Sequence, residues 1–94
     1  MIVKYFDWDK AKNKKLQEER DISFEEVVIA IEEGNILDIV GHPNSKQYPN
    51  QKIFIIAISH YAYLVPFVED EEKIFLKTII PSRKATKKYI VKDR

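Results

Sequence analysis

Apolar and polar positions along the chain fall into short blocks whose spacing assigns an element to each. Residues 2 to 6, "IVKYF", alternate and predict a first strand, after which Asp7 or Asp9 is placed to cap a helix. That helix runs through "KAKNKKLQEER", where only Trp8, Ala11 and Leu16 offer an apolar stripe. Its bases come early and its acids late, against the preference of the helix dipole. The pattern predicts a helix at the edge of the fold with its lysines in water. "SFEEVVIAIEEG", residues 23 to 34, carries the clearest local signal. Ser23 followed by Glu26 is a capping box, Phe24, Val27, Val28 and Ile31 make one apolar face, and Gly34 is placed to end the helix in a left-handed cap.

Four more strands are predicted from alternation and from β-branched and aromatic content: 36 to 40, 52 to 59, 63 to 69 and 74 to 80. "HY" and "EDEEK" are too short for crossover helices, so the last three strands are predicted to form an antiparallel meander. Residues 41 to 51, "GHPNSKQYPNQ", read as an exposed loop. Pro66 requires an edge or a bulge because it cannot donate to a ladder. Beyond Pro81, "SRKATKKYIV" suits a short last helix with Ser82 as its cap. The order β-α-α-β-β-β-β-α describes a small α+β domain over residues 1–94, with two helices on one face of an antiparallel sheet.

Composition narrows the function classes. Ninety-four residues, 45% hydrophobic and 33% charged, suit one globular core. There is no cysteine, hence no thiol nucleophile, thiolate metal site or disulfide. The opening "MIVKYFDWDK" lacks the apolar core of a signal peptide, and runs such as "IFIIAI" are too short to cross a bilayer, so a soluble cytoplasmic protein without a membrane partner is expected. The net charge of +1 hides a polarity. From Glu18 to Asp38 eight acids face the single base Arg20, whereas from Lys73 onward the bases Lys73, Lys77, Arg83, Lys84, Lys87, Lys88, Lys92 and Arg94 face only Asp93. Such asymmetry points to a polyanion or an acidic partner at the basic end.

No phosphate-binding glycine loop, histidine pair at metal spacing or nucleophile elbow is present, and no metal or cofactor is expected. His42 and His60 read as solvated loop residues. What remains is a group of bases, hydroxyls and aromatics around the last strand and helix: Lys77, Thr78, Ser82, Arg83, Lys84, Thr86, Lys87 and Tyr89. Metal-free RNA hydrolysis needs a proton acceptor for the 2′-hydroxyl, cations to hold the phosphorane charge, and an acid for the leaving 5′-oxygen. Arginine suits the second task, because its planar fork matches two phosphate oxygens. Tyr61 and Tyr63 are of a type that stacks on splayed bases.

"YFDWDKAKNKKL", then "ISFEEVV" and, near the end, "IIPSRKAT", together resemble the BrnT-type toxins of bacterial type II toxin-antitoxin systems, members of the RelE-like ribonuclease superfamily. Trp8, Asp9 and Lys12 match a W-D-x-x-K start, Ser23 to Glu26 match an S-F-E-E capping box, and Arg83, Ala85 and Thr86 match a late A-R-x-A-T. The chain departs where the family has Lys-His-Gly, carrying Glu19, Arg20 and Asp21 instead, and it has Ser82 for the alanine before the late arginine. The resemblance implies a RelE-like fold and a toxin that cleaves RNA without a metal and thereby inhibits translation. Arg83, Thr86 and Arg20 are then the expected catalytic residues, and Lys12, Lys77, Lys84, Lys87 and Lys88 the expected RNA-binding ones. It also implies a hetero-oligomer with a cognate antitoxin, a ribbon-helix-helix DNA-binding protein covering the basic patch. The alternative is a non-catalytic RelE-like module that binds an antitoxin or RNA without cleavage.

Overall fold

The computed structural model describes residues 4–44 and 46–91. The first strand, β1, spans Tyr5–Trp8, later than the 2 to 6 expected, of which residues 2 and 3 lie outside the described residues. Its offset carries Phe6 and Trp8 onto the face that the helices cover. Asp9 is the cap of α1 (Lys10–Arg20), its carboxylate accepting from the N–H groups of Ala11 (2.8 Å) and Lys12 (3.1 Å). The expected stripe on α1 is corrected at two positions: Trp8 is the last residue of β1 and not part of the helix, and Ala11 does not face the core. Ala11 is exposed, and Asn13 is buried beside Leu16 instead.

The second helix, α2 (Phe24–Glu32), forms as its sequence dictates, with both halves of the Ser23–Glu26 capping box made. Gly34, at φ 83°, ends it: its N–H bonds to Ile31 O and that of Asn35 to Ala30 O, the paired contacts of a left-handed C-cap. Strands β2 (Ile36–Gly41), β3 (Gln51–Ile58), β4 (Tyr61–Glu69), β5 (Lys73–Leu76) and β6 (Ile80–Pro81) follow. Ser59 and His60, both at positive φ, make the two-residue turn from β3 to β4, whose twist suits a tight hairpin.

The sheet order is β1-β5-β4-β3-β2, with β6 also paired to β4. The meander is antiparallel as expected, but the sheet as a whole is mixed, because β1 pairs with β5 in parallel. Short connections constrain only consecutive strands, and β1 has its partner at the far end of the chain. The strand expected over 74 to 80 is likewise two strands. Pro66 explains the break. Its carbonyl accepts from Lys77 N (2.8 Å), so its own nitrogen faces the same neighbour, where a ladder requires a donor and proline has none. From Phe67↔Leu76 to Leu64↔Ile80, β4 steps back three residues while its partner advances four, which makes a bulge.

Helices α1 and α2 cover one face of the sheet over a core built on Phe24, Val27, Phe54, Ile56, Val65, Leu76 and Ile79. The last helix lies on the other face. It starts as α3 (Arg83–Ala85) and widens at Thr86–Val91 into π-helical turns, placing Ala85, Tyr89 and Ile90 against Ile55, Ala62 and Leu64. None of the described helices is long and apolar enough to cross a membrane.

Candidate functional site

The basic end of the chain is anchored to β4 by a closed set of hydrogen bonds. Ser82 N donates to Ala62 O (2.9 Å), Ala62 N donates to Thr86 Oγ1 (2.8 Å), and Thr86 Oγ1 donates to Ser82 O (2.7 Å). Ser82 Oγ also accepts from Ala85 N at 3.0 Å, so the strand-to-helix junction is capped by its own side chain. Arg83 is the residue after that cap, and its side chain is exposed. Thr86 is buried, with its hydroxyl spent on Ala62 and Ser82. It holds the junction in place, with its hydroxyl engaged inside the fold.

Arg20 reaches the same corner from α1. Since Ser82 turns its backbone toward β4, alternation turns that of Ile79 outward, and Ile79 O accepts from Arg20 Nη1 at 2.8 Å. One of five guanidinium N–H donors is used there, and the rest remain free for an anion. Ile79 and Arg83 are four residues apart, so at most about 14 Å of backbone separates the two arginines' anchor points. Lys12 and Arg20 share a pocket of about 200 Å³ with Lys15, Glu19 and Thr78. Lys77, at the bulge, is exposed beside it.

The remaining expected cations stand elsewhere. Lys84 and Lys88 line a separate pocket of about 250 Å³ whose floor is Val40, Ile55 and Leu64. Lys88 Nζ sits 5.2 Å from the Tyr89 ring, and Tyr89 OH donates to Asp38 Oδ2 at 2.8 Å. That hydroxyl and the Ile39 N–H hold the Asp38 carboxyl below its usual range. Lys87 is exposed on the π-helical turns. Among the described residues the ion pairs are Lys4–Glu69 and Lys73–Asp7, neither of which involves the expected site cations.

Neither histidine joins the arginines. His42 Nδ1 accepts from Asn44 N (3.0 Å) and its ring lies 4.6 Å from Tyr48, whereas His60 occupies the β3–β4 turn. Among the described residues no cluster of His, Asp and Glu has the form of a metal site. One supporting residue was missed from the sequence. Asn13 Oδ1 accepts from Phe24 N and its Nδ2 donates to Glu25 Oε1, both at 2.8 Å, locking α1 to the start of α2. The Glu25 carboxyl is thereby held below its ordinary range, first by Asn13 and then by its own backbone N–H. A polar residue one turn before Leu16, where an apolar one would continue the stripe, was the available signal. No protein-family model matches the chain, and no curated protein or solved structure is found to be similar to it.

Proposed function

We propose that this chain is the toxin of a type II toxin-antitoxin system, a RelE-like endoribonuclease that cleaves RNA without a metal and inhibits translation in the cytoplasm. The observation that carries the reading is the corner where Arg83, fixed by the Ser82–Ala62–Thr86 bonds, stands exposed a few residues from the carbonyl that pins Arg20. One guanidinium pinned to a carbonyl and a second, exposed one carried by a braced junction, both free of ion pairs among the described residues, suit a phosphodiester whose charge grows in the transition state. Arg83 and Arg20 contact the phosphate in this reading. Thr86 acts through the junction it braces. Lys12 and Lys77 extend the cationic track beside Arg20, and Lys84, Lys87 and Lys88 form a second basic strip along the last helix. A ribbon-helix-helix antitoxin with an acidic segment would cover the same cations.

A second reading, a binding module that holds RNA or an antitoxin without cutting, is favoured by the Thr86 hydroxyl being spent within the fold and by the absence of an imidazole from the Arg20 pocket. Induced expression separates the two. Growth arrest with loss of cellular RNA, abolished by Arg83→Ala and barely restored by Arg83→Lys, is expected of the nuclease, with circular dichroism unchanged in each variant. Unaffected growth by the wild type selects the binding module. Equal toxicity of a folded Arg83→Ala removes the arginine from the chemistry.

A further inference from the structure

Beside the arginine corner, on the face of β4 that α1 and α2 cover, lie two tyrosines that the packing of the core accounts for only in part. Tyr61 and Tyr63 are both half-buried, with ring centroids 5.7 Å apart in an edge-on arrangement. Tyr63 leans on the core, whereas Tyr61 belongs to neither apolar cluster. Among the described residues neither hydroxyl has a hydrogen-bond partner, and neither is a buried orphan, so both reach water. Tyr89, by contrast, spends its hydroxyl on Asp38.

The ladder decides what stands next to them. Tyr63 is opposite Pro81, an exposed ring that extends the flat apolar surface. The Ser82 N–Ala62 O bond carries the contact one residue further, and there the strand gives way to α3, so Arg83 follows directly on the residue bonded to Ala62, the neighbour of both tyrosines. As cross-strand neighbours Tyr63 and Pro81 stand about 4.5–5.5 Å apart at Cβ, which keeps the junction that carries Arg83 close to the tyrosine rings. An aromatic pair with wet hydroxyls and an exposed arginine on the adjoining junction matches a stacked base with its phosphate better than it matches an apolar peptide.

The geometry points to a nucleobase subsite formed by Tyr61 and Tyr63, in which an unpaired base stacks while its phosphate is held by Arg83. This rests on the RNA reading above and adds to it the part of the substrate that the cations cannot bind. Stacking accepts any base, so the subsite selects single-stranded over paired RNA and sets little sequence preference.

The probe is a fluorescein-labelled, single-stranded 2′-O-methyl oligouridylate, which cannot be cleaved through its 2′-oxygen, beside an abasic oligomer of equal length. Binding is read by fluorescence anisotropy. The wild type is expected to prefer the oligouridylate. Tyr61→Leu and Tyr63→Leu should weaken that binding by about 10- to 100-fold, with the Phe variants staying close to wild type. The abasic oligomer should bind wild type and Leu variants alike. Leu variants that keep their circular dichroism and bind the oligouridylate as tightly as wild type overturn the subsite and leave the RNA reading standing, as does equal wild-type affinity for the two probes. A wild type that binds neither probe overturns both. If the Leu variants fail to fold, the Phe variants and the abasic comparison still decide the matter.

Discussion

Replacing Asn13 by Ala tests the joint between the two helices, and the structure sets its size. Asn13 is 7% exposed and Phe24 is 0% exposed, so deleting the amide leaves the Phe24 N–H in a site that water reaches poorly. An unsatisfied buried donor costs about 1–3 kcal/mol, and the bond to the Glu25 carboxylate is lost with it. We expect a total of about 2–3 kcal/mol against a stability of about 5–14 kcal/mol for a domain of this size. The melting temperature should fall by about 10–20 °C. Part of the effect depends on pH. The folded Glu25 titrates below its ordinary value of 4.5, so its contribution is present above that value and is lost as pH falls through the lowered one. The penalty of Asn13→Ala should therefore be larger at pH 7 than at pH 3, and the backbone part should persist at both. Urea unfolding followed by Trp8 fluorescence is a direct assay, since the Trp8 and Phe24 rings stack at 5.7 Å across this joint. A midpoint shift equivalent to less than about 0.5 kcal/mol at pH 7, with m unchanged, would show that solvent replaces Asn13 and that the amide is not the lock.

Three other outcomes follow from the same contacts. Phe24→Ala should cost about 3–5 kcal/mol, because the ring is wholly enclosed, and Val28→Ala, at a half-buried site, about 1 kcal/mol; equal losses in calorimetry would contradict the packing. Thr86→Val should cost about 1–3 kcal/mol by orphaning the buried Ala62 N–H, while Thr86→Ser should keep most of the stability, and indistinguishable denaturation midpoints for the two would count against the junction bonds. Asp21, at φ 55°, ends α1 in the left-handed region that glycine adopts freely, so Asp21→Gly should stabilise by about 0.5–1 kcal/mol, and a lowered melting temperature would show that the aspartate side chain has a structural part.

Features governed by neighbours in sequence were legible before the structure. The Ser23–Glu26 box, the Gly34 cap, the Asp9 cap and the Ser82 cap each depend on residues within one helical turn, and each forms. Features governed by distant neighbours were not. The alternation in β1 is equally consistent with either direction of pairing, and the parallel register, with Phe6 against Ile74 and Trp8 against Leu76, joins residues nearly seventy positions apart. Pro66 announced an irregularity, yet nothing local says that its nitrogen faces β5 and β6 instead of β3. At the site, the position of Arg83 after Pro81 and Ser82 was readable. The bond from Arg20 to Ile79 joins residues far apart in sequence, and the tyrosine pair takes its meaning from a register that no spacing rule supplies.

The parallel pairing of β1 with β5 imposes an order of events on synthesis. Residues 5–8 leave the ribosome early, yet their partners are residues 73–76, and the adjoining Lys4–Glu69 ion pair spans 65 positions. At about 5–20 residues per second this strand waits several seconds for its mate, during which α1 and α2 lie close in sequence but have no sheet to cover. Long-range closure of this kind also slows folding once the chain is complete. The corner that gathers Arg20, Ile79 and Arg83 forms later still, because its last members follow β5. A nascent chain therefore exposes its amphipathic helices well before it can assemble its cationic corner, and whatever that corner does begins only after residue 83 has emerged.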